Sequence, residues 1–136
     1  MNRPLSSPLR WAASVLLLVT AATHLPMVAE HLQEAPYVGV LFVALSAVSL
    51  GLAVLLVLWD TPAVWAATGA TTVLAVVGYL ASRTVGLPQL GNDIGNWTEP
   101  LSFPALAAEA LAAFLAASAL RPRSIHSLHR PGKGTS

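Results

Sequence analysis

The stretch Ser82–Glu109, SRTVGLPQLGNDIGNWTEPLSFPALAAE, is the only long break in an otherwise apolar chain. It holds one basic residue, Arg83, and three acidic ones, Asp93, Glu99 and Glu109. Gly86, Pro88, Gly91, Gly95 and Pro100 punctuate it as a loop. On either side the sequence turns apolar and reads as helix, from about Ala63 to Ser82 and from Pro104 to Leu120. The stretch is thus a structured connection that leads into an apolar helix carrying a buried Glu.

The chain has 136 residues, of which 55% are hydrophobic and 10% charged, with a mean hydropathy of +0.67. Soluble domains carry about 25% charged residues, so this chain cannot cover itself with a solvated surface. A bilayer span needs about 20 mostly apolar residues, and four spans with short connections fill the length. The absence of cysteine excludes a disulfide framework, a thiol redox centre and thiolate metal sites, and argues against quinone-linked thiol oxidoreductases. Arg outnumbers Lys and Ala is abundant, a composition typical of GC-rich bacterial genomes.

Residues 1–10 form a short polar head with Arg3 and Arg10. The first span runs from Trp11 to about Ala29; a basic start and an apolar core also fit a signal peptide, but the run continues past Pro26 without a small-x-small exit, which favours an uncleaved anchor. Pro26 should kink or end this helix. Glu30–Pro36 reads as a tight polar connection. The second span, Tyr37–Leu58, offers Gly39, Ser46, Ser49 and Gly51 for close helix contact. Asp60 or Thr61 can cap the third span, about 63–82, and Pro62 suits its first turn. Thr68, Thr72, Tyr79 and Arg83 share one face of that span, with interhelical hydrogen bonds expected from the two threonines. The outer loop covers 83–103. In the fourth span, about 104–120, Ala105, Ala108, Ala112 and Ala116 make a small-residue seam. Residues 121–136 are a basic tail without apolar periodicity, expected to be disordered.

The expected fold is all-α: an integral membrane four-helix bundle with antiparallel spans. Six of the seven basic residues lie in the two terminal segments and none between spans one and two. The positive-inside rule then puts both termini in the cytoplasm of a plasma-membrane protein. Glu30, Glu34, Asp93 and Glu99 fall outside, and Asp60 inside.

His24 and Glu109 are the ionisable residues within the spans. His24 precedes Glu30 by about 9 Å of helix, and Glu109 follows Pro104 by about 7 to 8 Å, so they reach similar depth from the outer side. A lone charge there costs a few kcal/mol, and a pair or a wet pocket is expected. His31 is two turns from His24 on the same face. The expected polar pocket comprises His24, Glu109, Tyr79, Arg83, His31, Asp93, Trp97 and Glu99, with Glu34 and Asn96 at its mouth. Each has a plainer reading: His24 and Glu109 as a polar clamp, Arg83 as an anchor paired to Asp93 or Glu99, and Trp97 as an interfacial aromatic.

No cofactor is expected. His24, His31 and Glu109 are candidate metal ligands by donor type, although no HExxH or similar spacing is present. His126 and His129 in the tail are weaker candidates. With His24 as the span histidine, a bis-His haem in the spans is not expected. The expected partners are the lipid bilayer and a second copy or another membrane protein, not nucleic acid; the tail's arginines set topology and attract anionic lipid.

The run GYLASRTVGLP at 78–88, then GNDIGNWTEPL at 91–101 and a helix with Glu109, resembles a group of small uncharacterised four-span integral membrane proteins of actinobacterial type. Glu30–Leu32 and the APYVGVLF run at 35–42, after a first-span His, match the group in the same order. The resemblance implies location and architecture and brings no activity or cofactor. Three classes of function remain. The favoured one is a binding or accessory membrane protein with an outer-facing pocket around His24 and Glu109. The second is an oligomeric transporter or proton-coupled component with this pair as relay. The third is an intramembrane enzyme, ranked last because no nucleophile or metal motif is present.

Overall fold

The computed structural model describes residues 4–122, and every regular element among them is helical. Arg3 and the tail from position 123, including His126 and His129, lie outside the described residues. The elements are α1 (Leu9–His24), a 3₁₀ turn (Leu25–Met27), α2 (Val28–Glu34), α3 (Pro36–Leu58), α4 (Pro62–Thr84), a second 3₁₀ turn (Gly91–Asp93) and α5 (Ser102–Leu120). Four helical segments are long and apolar enough to cross a membrane: Leu9–Glu34, Pro36–Leu58, Pro62–Thr84 and Ser102–Leu120.

The first segment corrects the expected boundary. Pro26 does not end the helix; it sits in the 3₁₀ turn, where the helix tightens and then resumes as α2. A proline lacks the N–H for one i to i−4 bond, and the short 3₁₀ turn accommodates that loss locally. The expected polar connection Glu30–Pro36 is therefore mostly helix, and the chain reverses at Ala35, whose φ and ψ are −143° and 83°. Pro36 then opens α3 at a position that needs no N–H. Thr61 caps α4, its hydroxyl accepting from Val64 N–H at 3.4 Å. The fourth helix starts at Ser102, ahead of Pro104, which fits within the first turn.

The helices close a ring: α1 packs on α3 and α5, α5 on α4, and α4 on α3, the last pair meeting least. One core joins Ala13 and Leu17 of α1, Leu52, Ala53 and Leu56 of α3, Trp65 of α4 and Ala116 of α5. Ala105, Ala108, Ala112 and Ala116 are all buried, so the seam expected on α5 is an interior face. Gly39 lets α2 and α3 approach closely: a Cβ there would stand 2.6 Å from Leu32 Cγ. Gly51 faces open space and has no such role.

Thr68 and Thr72 are fully buried, but they do not bridge helices. Their hydroxyls donate to Val64 O and Thr68 O, each at 2.9 Å, because the preceding turn offers a nearer acceptor than a neighbouring helix does. Interhelical bonds come instead from Ser14 to Ala53 O at 3.0 Å and Ser46 to Ala21 O at 3.4 Å.

Asp60 has more to do than the sequence suggested. It is buried at φ 40°, a left-handed conformation that Asp tolerates better than most residues. Its carboxylate accepts from Trp65 Nε1–H at 2.6 Å and Ser7 N–H at 2.7 Å, with Arg10 at 3.7 Å. Its carbonyl accepts from Leu5 N–H at 2.8 Å. The segment before α1 is thereby strapped onto the α3–α4 turn.

Candidate functional site

The site forms around His24 at the end of α1. Its Nδ1 lies 2.8 Å from Thr20 O. A carbonyl only accepts, so Nδ1 carries the hydrogen. In a neutral ring Nε2 then presents a lone pair, and 3.6 Å from it stands Glu109 Oε1 of α5. The separation exceeds hydrogen-bond length. Glu109 is 2% exposed, and its Oε1 has no hydrogen-bond partner among the described residues. Two acceptors facing each other repel unless one proton is shared between them; the protonated pair is neutral overall in either arrangement.

His31 lies on the same face as His24, and both rings pack on Phe42 of α3, at centroid distances of 4.7 and 4.9 Å. The intervening 3₁₀ turn does not break their common facing. His31 Nδ1 is 2.9 Å from Met27 O, so it too donates locally.

Arg83, at the end of α4, is buried and holds the loop. Its guanidinium pairs with both Asp93, at 3.0 Å, and Glu99, where the sequence suggested one or the other. Ser102 completes the cluster, donating to Glu99 Oε2 at 3.2 Å. The guanidinium also stands 5.1 Å over the Tyr79 ring, a favourable cation–π arrangement. Gly86 ends α4 at φ 81°, its N–H bonded to Ala81 O at 2.9 Å, and a Cβ there would meet Ile94 at 2.9 Å. Tyr37 O–H donates to Pro88 O at 2.7 Å, and Leu87 and Leu90 seat against Val38, Phe42 and Ala35. The loop is thus fixed by charge, by a hydrogen bond and by apolar packing.

Beneath the loop lies a cavity of about 380 Å³ between α3 and α4, within the size range of small-ligand sites. His24, His31, Tyr79, Arg83, Asp93, Glu99 and Glu109 line it, together with Ser82 and Ser102. Most of its wall is apolar, including Leu41, Leu45 and Val48 of α3 and Leu74, Ala75 and Gly78 of α4. The pocket expected to be polar is therefore amphipathic, with its ionisable groups gathered under the loop. A more polar basin adjoins it, lined by Glu30, Glu34, Asn96 and Pro100 and sharing His31, Leu90, Asp93 and Glu99 with the cavity.

Of the expected pocket residues, Trp97 is the one that does not line the cavity: it packs edge-on against Tyr79 at 6.1 Å and is half exposed. Phe42 and Ser102 were missed. Ser102 follows Glu99 by three residues, the reverse of the capping-box order, so no helix-start pattern flagged it. Phe42 gave no signal beyond apolarity. Among the described residues, no three of His, Cys, Asp and Glu stand close enough to hold a metal ion together. Comparison with protein-family models, curated proteins and solved structures found no match to this chain.

Proposed function

We propose that this chain is a multi-pass plasma-membrane protein that binds a small ligand in the cavity around His24 and Glu109. Its four spans run antiparallel, with both termini cytoplasmic and the loop between α4 and α5 outside, the architecture that the resemblance to small four-span proteins implies. Support for the orientation comes from the basic residues, six of seven in the terminal segments.

The observation that carries the binding reading is Glu109, which lines the cavity and whose buried Oε1 has no hydrogen-bond partner among the described residues. A buried polar atom without a partner costs about 1–3 kcal/mol. A helix clamp would close the 3.6 Å gap to His24; a ligand site leaves it for a guest to bridge. Retention of ligand tests this. Native mass spectrometry on protein released from its own membrane in detergent-free lipid particles should find a bound non-protein mass, absent from Glu109→Leu. Equal occupancy in the two proteins, or none in either, would overturn the reading.

A further inference from the structure

The cavity wall does not close on the membrane side. Leu41 and Leu74 line the cavity and yet are 57% and 71% exposed. They lie on α3 and α4, the neighbouring helices that meet least. In a chain that spans a bilayer these side chains face acyl tails, so the cavity opens sideways into lipid through a slot between the two helices. Its other end, under the loop, carries Asp93 and Glu99 against one guanidinium, Arg83, and the adjoining basin adds Glu30 and Glu34.

We infer that the occupant is an uncharged amphiphile drawn from the bilayer, with an alkyl chain in the α3–α4 slot and a hydroxyl head bridging His24 Nε2 and Glu109 Oε1. This deepens the ligand-binding reading above and rests on it. A hydroxyl both donates and accepts. It accepts from whichever of the two groups holds the shared proton and donates to the other. Glu109 Oε1 is itself buried, so its side chain turns toward the cavity as the guest enters; an oxygen about 2.8 Å from each atom then meets hydrogen-bond distance on both sides and spans the 3.6 Å gap. A ketone only accepts and leaves one partner unbonded. An anionic head meets the excess of carboxylates under the loop and in the adjoining basin. An ammonium head only donates, so it leaves whichever group holds the shared proton without an acceptor.

The test uses the full chain in phosphatidylcholine nanodiscs and a dodecanol bearing a mid-chain diazirine. Illumination should label Leu41–Val48 and Thr71–Tyr79. Excess dodecanol should lower that labelling at least tenfold, while equal dodecanoate or dodecylamine lowers it less than twofold. Glu109→Leu should lose the labelling at least tenfold. Leu74→Trp, a change at an exposed position that fills the slot without burdening the fold, should lose it comparably. If dodecanoate or dodecylamine competes as well as dodecanol while labelling still depends on Glu109, the hydroxyl head is overturned and the ligand site stands. If labelling is not saturable, or is unchanged in both variants, the slot and the ligand site fall together.

Discussion

Glu109 and His24 meet across the space between α5 and α1 at 3.6 Å without a hydrogen bond, and Oε1 of the glutamate is satisfied by no protein atom among the described residues. Leucine of similar size at position 109 would remove an unbonded polar group and keep the volume filled. Ligand-free Glu109→Leu is therefore expected to be more stable than the parent, by about 1–3 kcal/mol. Reversible unfolding in mixed micelles measures it, and a loss of stability would mean that the carboxyl group supports the fold. The pairing itself was legible, because counting residues inward from Glu30 and Pro104 puts both side chains at one depth. The unbonded state was not: it depends on the His24 tautomer, fixed by Thr20 O, and on tenths of an ångström between helices. Asp60 shows the same limit. Its position before Thr61 and Pro62 announced a helix start, but its bonds to Ser7 and Leu5 join residues more than fifty positions apart, and no local pattern encodes them.

The loop between α4 and α5 acts as one element because its contacts are spread along it. Arg83 holds Asp93 and Glu99, and the Arg83 carbonyl accepts from Gly95 N–H at 2.9 Å. Tyr37 and the Leu87–Leu90 pair fix the first half to α3. Arg83→Met keeps the aliphatic stem and removes the guanidinium, leaving the two carboxylates without their partner. Amide exchange at Asp93–Glu99 is expected to quicken about tenfold, the equivalent of ~1.4 kcal/mol of local opening. Exchange at Leu87–Leu90 should change far less, since those residues are held by packing. Uniform acceleration across the loop would contradict two separately anchored halves. The glycine and proline punctuation made the loop readable as a loop. The attachment of its apolar residues to α3 was not readable, because Leu87 and Leu90 look like any short apolar interruption until Val38 and Phe42 are beside them. Polarity misled in the opposite direction: the polar residues from Glu30 on read as a connection, where the helix resumes after the 3₁₀ turn at Pro26 and runs on to Glu34.

At the scale of the molecule, composition and the spacing of apolar runs were enough for an all-helical chain with four segments able to cross a membrane. They were not enough to show which neighbouring helices stand apart, since that depends on how residues from four segments fill the interior together. The proposed orientation is testable because the native chain has no cysteine. In intact cells, Asn92→Cys is expected to react with a membrane-impermeant maleimide and Pro122→Cys only after lysis; the reverse pattern would invert the topology. A guest beside Glu109 is what a binding role for this protein requires. A cryo-electron microscopy or crystal structure determined in native lipid decides it most directly. The predicted result is non-protein density between α3 and α4, reaching hydrogen-bond distance of Glu109 Oε1 with Leu41 and Leu74 parted around it. A slot closed by direct contact of α3 and α4, with Oε1 hydrogen-bonded to His24, would contradict it.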